Sequence, residues 1–201
     1  KPEVLCSSSE EDSDKNMCIN YFCIYKGNVY FSDRNRDERE LKSDFYRYDI
    51  AAGEKELLME DMQIGVGTVA GERFYFPTST GDPGILELDL ETGKVRQFLK
   101  EPEKMGKYGL GSHLGLSWDG EYLYAYDMDQ VDYRDENGKP HETIEIFVLD
   151  LNGNLIQVLE APNGDGYFYP YWGDQEILLV DQADKFVYYD KKGEVWKEWE
   201  G

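Results

Sequence analysis

One short pattern occurs four times along the chain, and it constrains the fold more than any other feature. The copies are Phe45-Tyr-Arg-Tyr-Asp-Ile-Ala-Ala-Gly-Glu54, Ile85-Leu-Glu-Leu-Asp-Leu-Glu-Thr-Gly-Lys94, Ile146-Phe-Val-Leu-Asp-Leu-Asn-Gly-Asn154 and Phe186-Val-Tyr-Tyr-Asp-Lys-Lys-Gly-Glu194. Each runs apolar or aromatic residues into an Asp, reaches a Gly, and continues into a second strand-like run. The Asp residues are Asp49, Asp89, Asp150 and Asp190, at intervals of 40, 61 and 40. The long interval carries an insertion, Asp127 to Thr143, so the underlying unit is about 40 to 45 residues.

Three further landmarks precede each Asp. One is a strand-like run: Asn28–Asp33, Arg73–Thr78, Tyr122–Asp127 and Glu176–Asp181. A turn stands before it, at Lys26-Gly-Asn28, Ala70-Gly-Glu72, Trp118-Asp-Gly120 and Trp172-Gly-Asp174. Another strand-like run precedes the turn: Ile19–Tyr25, Ile64–Val69, Leu114–Trp118 and Tyr167–Trp172. Each unit therefore reads as four strands, A to D, with D at Lys55–Glu60, Lys94–Leu99, Leu155–Glu160 and Glu194–Trp199. Helical periodicity is weak throughout, and the 20 glycines punctuate strand ends as hairpins require. The repeated Asp and Gly have a structural role: Asp caps free backbone N–H groups in the turn, and Gly supplies a positive φ.

Four-stranded units of this length predict an all-β chain, a β-propeller or propeller segment with four four-stranded antiparallel blades at about 17–60, 61–100, 108–160 and 165–200. Phe147-Val-Leu-Asp-Leu-Asn-Gly-Asn-Leu-Ile156 and Leu86-Glu-Leu-Asp-Leu-Glu-Thr-Gly-Lys94 resemble the blades of bacterial six- to eight-bladed propellers of the TolB-like and NHL-like kind. That resemblance implies a fold and carries no functional residues. The Gly-His…Trp-Asp pattern of WD40 blades and the Tyr-Trp-Thr-Asp pattern of receptor propellers are missing. Residues 1–16 read as the outer strand of a preceding blade (Pro2–Ser7) and an acidic loop. Two arrangements fit that spare strand: a piece of a longer propeller, which we favour, or a closed four-bladed ring with an extra strand. In the first, missing blades or another chain would complete the ring.

The 201 residues suffice for one large all-β domain, with 14% aromatics and 16 tyrosines to fill its core. A formal charge of −21 argues against nucleic acid and against an anionic membrane surface. No run of about 18 apolar residues suggests a transmembrane segment. The chain opens at Lys1 rather than Met, which reads as a processed or truncated start. Cys6, Cys18 and Cys23 crowd the N-terminus; buried free thiols are expected, with a Cys6–Cys18 bridge as the alternative.

Loop lengths locate a working face. The A–B and C–D turns lie at one end of every blade and are short. The long segments all lie at the other end: Asp33–Asp44, Thr78–Gly84, Asp127–Thr143 and Asp181–Lys185 between B and C, and Lys100–His113 and Glu160–Gly166 between D and A. Function concentrates in such loops on rigid scaffolds. The expected ligand-binding residues are Asp127, Asp129, Asp132 and Tyr133 in the insertion, Tyr108 and His113 at the channel entrance, and Tyr167 at the start of the aromatic run Tyr167–Trp172, close to the long-loop face. The insertion reads first as a solvated acidic hairpin. The alternative is a hard-cation site, with Ca²⁺ on Asp127, Asp129 and Asp132, although the EF-hand spacing fails.

Catalytic signals are thin. The two histidines, His113 and His141, have no nucleophile in a recognisable setting, and no phosphate-binding glycine loop opens a helix. The reading is a non-catalytic recognition module for a protein, peptide or glycan, outside the cytoplasm: secreted, periplasmic or on the cell surface. The alternatives are a carbohydrate- or peptide-acting hydrolase or lyase at the channel mouth, with a divalent cation, and a structural propeller domain of a larger protein.

Overall fold

The computed structural model describes residues 17–35, 43–78, 84–100, 104–107, 109–110, 114–127, 130, 134–141, 143–162, 169–172, 176–180, 185–190 and 195–200; for 17–22, 34–35 and 161–200 only the backbone is described. These residues form sixteen strands in four antiparallel sheets. Blade one holds β1 (Met17–Tyr25), β2 (Asn28–Asn35), β3 (Ser43–Asp49) and β4 (Glu54–Met62). Blade two holds β5 (Thr68–Ala70), β6 (Arg73–Thr78), β7 (Gly84–Asp89) and β8 (Val95–Lys100). Blade three holds β9 (Leu114–Trp118), β10 (Leu123–Asp127), β11 (Thr143–Leu149) and β12 (Leu155–Pro162). Blade four holds β13 (Tyr169–Trp172), β14 (Glu176–Val180), β15 (Lys185–Asp190) and β16 (Val195–Glu200). Each sheet is a meander in chain order, so the repeat read from sequence is the blade. The fold is a β-propeller, or a segment of one, with four four-stranded blades.

The repeated turns are built as their residues require. Asp49 Oδ1 accepts from the N–H groups of Ala51 and Ala52 at 2.8 and 3.0 Å. Asp89 Oδ1 accepts from Glu91 and Thr92 at 3.0 and 2.8 Å. Asp150 Oδ1 accepts from Asn152 and Asn154 at 2.9 and 2.8 Å. The glycines that follow stand at φ +70° (Gly53), +72° (Gly93) and +85° (Gly153), where a side chain strains the backbone. The backbone N–H of Thr92 holds the Asp89 carboxyl below its ordinary range, and the Asn154 side-chain amide, with its backbone N–H, does the same for Asp150.

One strand differs from the sequence reading. Blade two's inner strand was expected at Ile64–Val69 and forms at Thr68–Ala70. The start of the expected strand stays on β6 across an irregularity, with Ile64 bridging Thr78 and the Gly65 N–H donating to Pro77, while Val66 bridges Gly115 of the next blade in parallel. The Leu116 N–H donates to the Val66 carbonyl at 2.9 Å, so a backbone bond ties the inner strands of blades two and three.

Blades pack face to face. Between blades one and two, Tyr30 and Phe45 meet Phe74, Phe76, Leu88 and Leu90. The rings of Phe45, Phe74 and Phe76 stack with centroids 5.3 to 5.8 Å apart, contacts worth about 0.5–1.5 kcal/mol each beyond their burial. The Tyr30 hydroxyl donates to the Leu90 carbonyl across the same interface. Between blades two and three, Tyr75 and Ile85 meet Leu114, Leu116, Leu123, Ala125, Phe147 and Leu149. Glu87 is buried in this region. It accepts a bidentate pair from Arg96 at 2.8 and 2.7 Å and a third bond from Arg73 at 3.3 Å, which offsets the cost of desolvating its charge. Cys23 is a free, half-buried thiol packed against the first interface, and burial pushes it up to about 11.

Candidate functional site

Antiparallel pairing places the B-strand ends and C-strand starts at one end of each blade, opposite the capped turns. In blade one Asp33 pairs with Asp44, one step in from the Arg34–Ser43 pair that ends the ladder. In blade two the pair at that end is Thr78 and Gly84. In blade three Asp127 ends β10, and Glu145 lies next to Ile146, the partner of Tyr126. Two of the three best-described blades thus bring a carboxylate pair to the long-loop end.

The two members of the blade-one pair differ in their partners. Asp44 is consumed by local structure: Oδ1 accepts from the Asp61 N–H at 3.2 Å and Oδ2 from the Tyr46 hydroxyl at 3.1 Å. Asp61 has φ +54° where the β3–β4 register shifts, so Asp44 holds a bulge in place. Asp33 Oδ1 is buried without a hydrogen-bond partner. Burial raises the Asp33 carboxyl above its ordinary range; Lys55 lowers it and the neighbouring Asp44 raises it further.

In blade three the acid is buried structure. Glu145 is 4% exposed, and its Oε1 accepts from the Lys107 N–H at 3.0 Å. Gln130, 1% exposed, pairs with the Glu145 backbone twice: Nε2 donates to the carbonyl at 2.8 Å, and Oε1 accepts the N–H at 2.6 Å. The insertion and the D–A loop thus share one anchor, Glu145. Gly106 lets the D–A loop approach. It has φ +68°, and a Cβ there would stand 2.5 Å from the Phe147 ring and 2.7 Å from Glu145 Oε2. Beyond Gln130, residues 134–140 form an exposed turn in which Asp135 Oδ1 accepts from Asn137 and Lys139, both at 2.8 Å. These bonds hold the Asp135 carboxyl below its ordinary range.

Of the residues singled out by sequence, Asp127 is 3% exposed at the end of β10 and is engaged with the rest of the chain. Asp129, Asp132, Tyr133, Tyr108, His113 and Tyr167 lie outside the described residues. Sequence reading missed Asp44, Gln130 and Glu145. Two of these were findable in part: Asp44 and Glu145 both stand near the start of a C strand whose neighbouring B strand carries an Asp at or near its end. Among the described residues no group of three His, Cys, Asp or Glu side chains is disposed to hold a metal ion, and no helix is long and apolar enough to cross a membrane.

The chain matches no protein-family model and no curated protein. Solved structures share its fold at low identity. The acylaminoacyl peptidase of Pyrococcus horikoshii is 16% identical with a TM-score of 0.62, over 92% of this chain and 32% of the peptidase. The computationally designed Ika4 protein is 12% identical with a TM-score of 0.56, over 94% of this chain and 99% of that one. The C-terminal WD40 domain of Sif2 is 11% identical with a TM-score of 0.54, over 91% of this chain and 46% of that one. The chain thus spans about a third of the peptidase's length. These likenesses are of fold.

Proposed function

We propose that the chain is a non-catalytic recognition module that binds a protein or peptide, or a glycan, on its long-loop face, outside the cytoplasm. The observation that carries this is the contrast between the two ends of the blades. At one end every described C–D turn is short and capped by its own Asp. At the other, long segments are pinned to buried polar groups, as Gln130 and Lys107 are to Glu145. Pinning long loops to a rigid sheet cuts the entropy lost on binding. The acidic composition and the Asp33–Asp44 pair favour ligands with basic or amide groups.

The test is to screen the purified chain against a peptide library and a glycan array, and then to repeat it with Asp129, Asp132 and Tyr133 together changed to Ala. Hits lost in the variant while its melting curve holds support the reading. Hits that survive both this variant and Asp33→Asn place binding elsewhere and sink it.

A second reading rests on the peptidase likeness: a propeller domain of a larger hydrolase, with or without a divalent cation. The chain's match to about a third of that peptidase favours it. Thermal unfolding with Ca²⁺ or with a chelator separates the cation version. A ligand at a hundredfold excess over its dissociation constant adds about 2.7 kcal/mol, so a clear Ca²⁺-dependent rise in Tm favours that version and its absence favours metal-free recognition.

A further inference from the structure

Two segments far apart in sequence end on one residue of blade three. Glu145 shares a face of β11 with Phe147 and Leu149, the face packed on blade two. The D–A loop reaches it on the way from blade two to blade three. The insertion reaches it from the end of β10. The loop is seated by Met105, which packs against the inter-blade cluster, and by Leu110, 1% exposed within that cluster. Between these two seats Gly106 and Lys107 pass over Glu145.

The two segments take different parts of the same residue. The Lys107 N–H donates to the side chain, at Oε1. Gln130 takes the backbone N–H and the backbone carbonyl. Neither set of bonds uses the other's atoms; what they share is the exclusion of water. Glu145 and Gln130 are buried, whereas Gly106, Lys107 and residues 134–140 are exposed. Gly106 and Lys107 therefore act as a cover over a buried carboxylate. A hydrogen bond is stronger where water is kept out, and a buried carboxylate is stable only while its bonds are made. Lifting the loop lets water reach Glu145, where it competes for the groups that Gln130 holds. Withdrawing Gln130 opens the same residue from the other side and weakens the Lys107 bond.

We propose that the D–A loop and the insertion open and close together, with Glu145 as the positioning residue that couples them. Its meaning for recognition rests on the reading of the long-loop face given above: a ligand held by either segment orders both. The coupling itself belongs to the ligand-free chain and is measured there.

The experiment is amide hydrogen exchange of the full chain, read at the Lys107 N–H and at the N–H of position 145. Gln130→Leu removes the insertion's two bonds and leaves the Lys107 donor and its acceptor in place. Glu145→Ala removes the acceptor of Lys107 and leaves both backbone groups that Gln130 holds. Exchange should rise about tenfold at Lys107 in the first variant and at position 145 in the second, because a coupling free energy is reciprocal. Amides of β2 and β3 in blade one should keep their rates. Glu145→Gln keeps an acceptor oxygen and the volume, and should leave both N–H groups near their wild-type rates. Gly106→Ala disturbs the loop alone and should raise exchange at position 145, which keeps the test open should another variant fail to fold. Exchange that rises only at the bond directly removed, or that rises equally in blade one, overturns the proposal. Independent exchange at the two sites would sink the coupling and leave recognition as it was; the absence of any peptide or glycan hit does the reverse.

Discussion

Gln130 completes both backbone hydrogen bonds of Glu145, accepting its N–H at 2.6 Å and donating to its carbonyl at 2.8 Å. A side chain from the insertion thereby extends the β11 edge as a strand would. Changing Gln130→Leu keeps the volume and strands two buried polar groups, at about 1–3 kcal/mol each before any water enters. Urea denaturation should show a loss of about 2 kcal/mol or more. An unchanged midpoint would mean that the insertion is not held at this point.

The Gly106 approach predicts a second effect. Gly106→Ala puts a methyl group against the Phe147 ring and Glu145 Oε2 and strains a backbone at φ +68°. The D–A loop should lift and the Lys107–Glu145 bond should break. Amide exchange at Lys107 would rise strongly, while protection of the strands in blade one stays the same.

Across the first blade interface, Tyr30→Phe removes one hydroxyl and leaves the buried Leu90 carbonyl short of its donor. The expected loss is about 1 kcal/mol. A loss several times larger would show that the hydroxyl also shapes the packing of the Phe45, Phe74 and Phe76 stack.

Asp33 should act against stability at neutral pH. Its folded carboxyl is raised by burial, so the folded state binds a proton more readily than the unfolded chain. Stability therefore falls as pH rises from the unfolded value, about 3.9, through the folded one. Asp33→Asn should raise Tm at pH 7, and the gain should vanish below about pH 4. A gain of the same size at every pH would point to packing rather than charge.

The capping carboxylates carry the opposite sign. Asp89, Asp135 and Asp150 are held below their ordinary range by hydrogen bonds from the turns. Their contribution is fully present above the unfolded carboxylate value, about 3.9, and is lost as pH falls through the lower folded values. Asp150→Asn should therefore lower the neutral plateau of a Tm-against-pH curve and leave its acid end nearly unchanged, which flattens the acid limb. An acid limb unaffected by the substitution would assign acid sensitivity to other groups.

The fold was legible because its signals are local. Asp49, Asp89 and Asp150 each cap a turn with atoms two to four residues away, so the role shows in the sequence around them. The site was much less legible. Gln130 lies 15 residues from Glu145, and Lys107 lies 38 away. The B–C pairing across the insertion brings Gln130 to Glu145 and the path of the D–A loop brings Lys107, and no short motif encodes either. Blade two shows the same limit in the backbone. Val66 reads as strand by its neighbours, but its bond goes to the next blade at Leu116, which local propensity cannot foresee.

The meander order of every sheet bears on how the chain comes apart and together. Among the described residues no sheet borrows a strand from another, so each strand pairs only with its neighbours in the chain, and the longer B–C segments add little to the cost of closing a blade. Blades should therefore form as independent nuclei soon after their residues are synthesised, with docking between them as the slower step. Pulled from its ends, such a chain should give way in discrete steps of one blade, and the blade-two and blade-three pair, joined by the Val66–Leu116 backbone bond, should be the last to part.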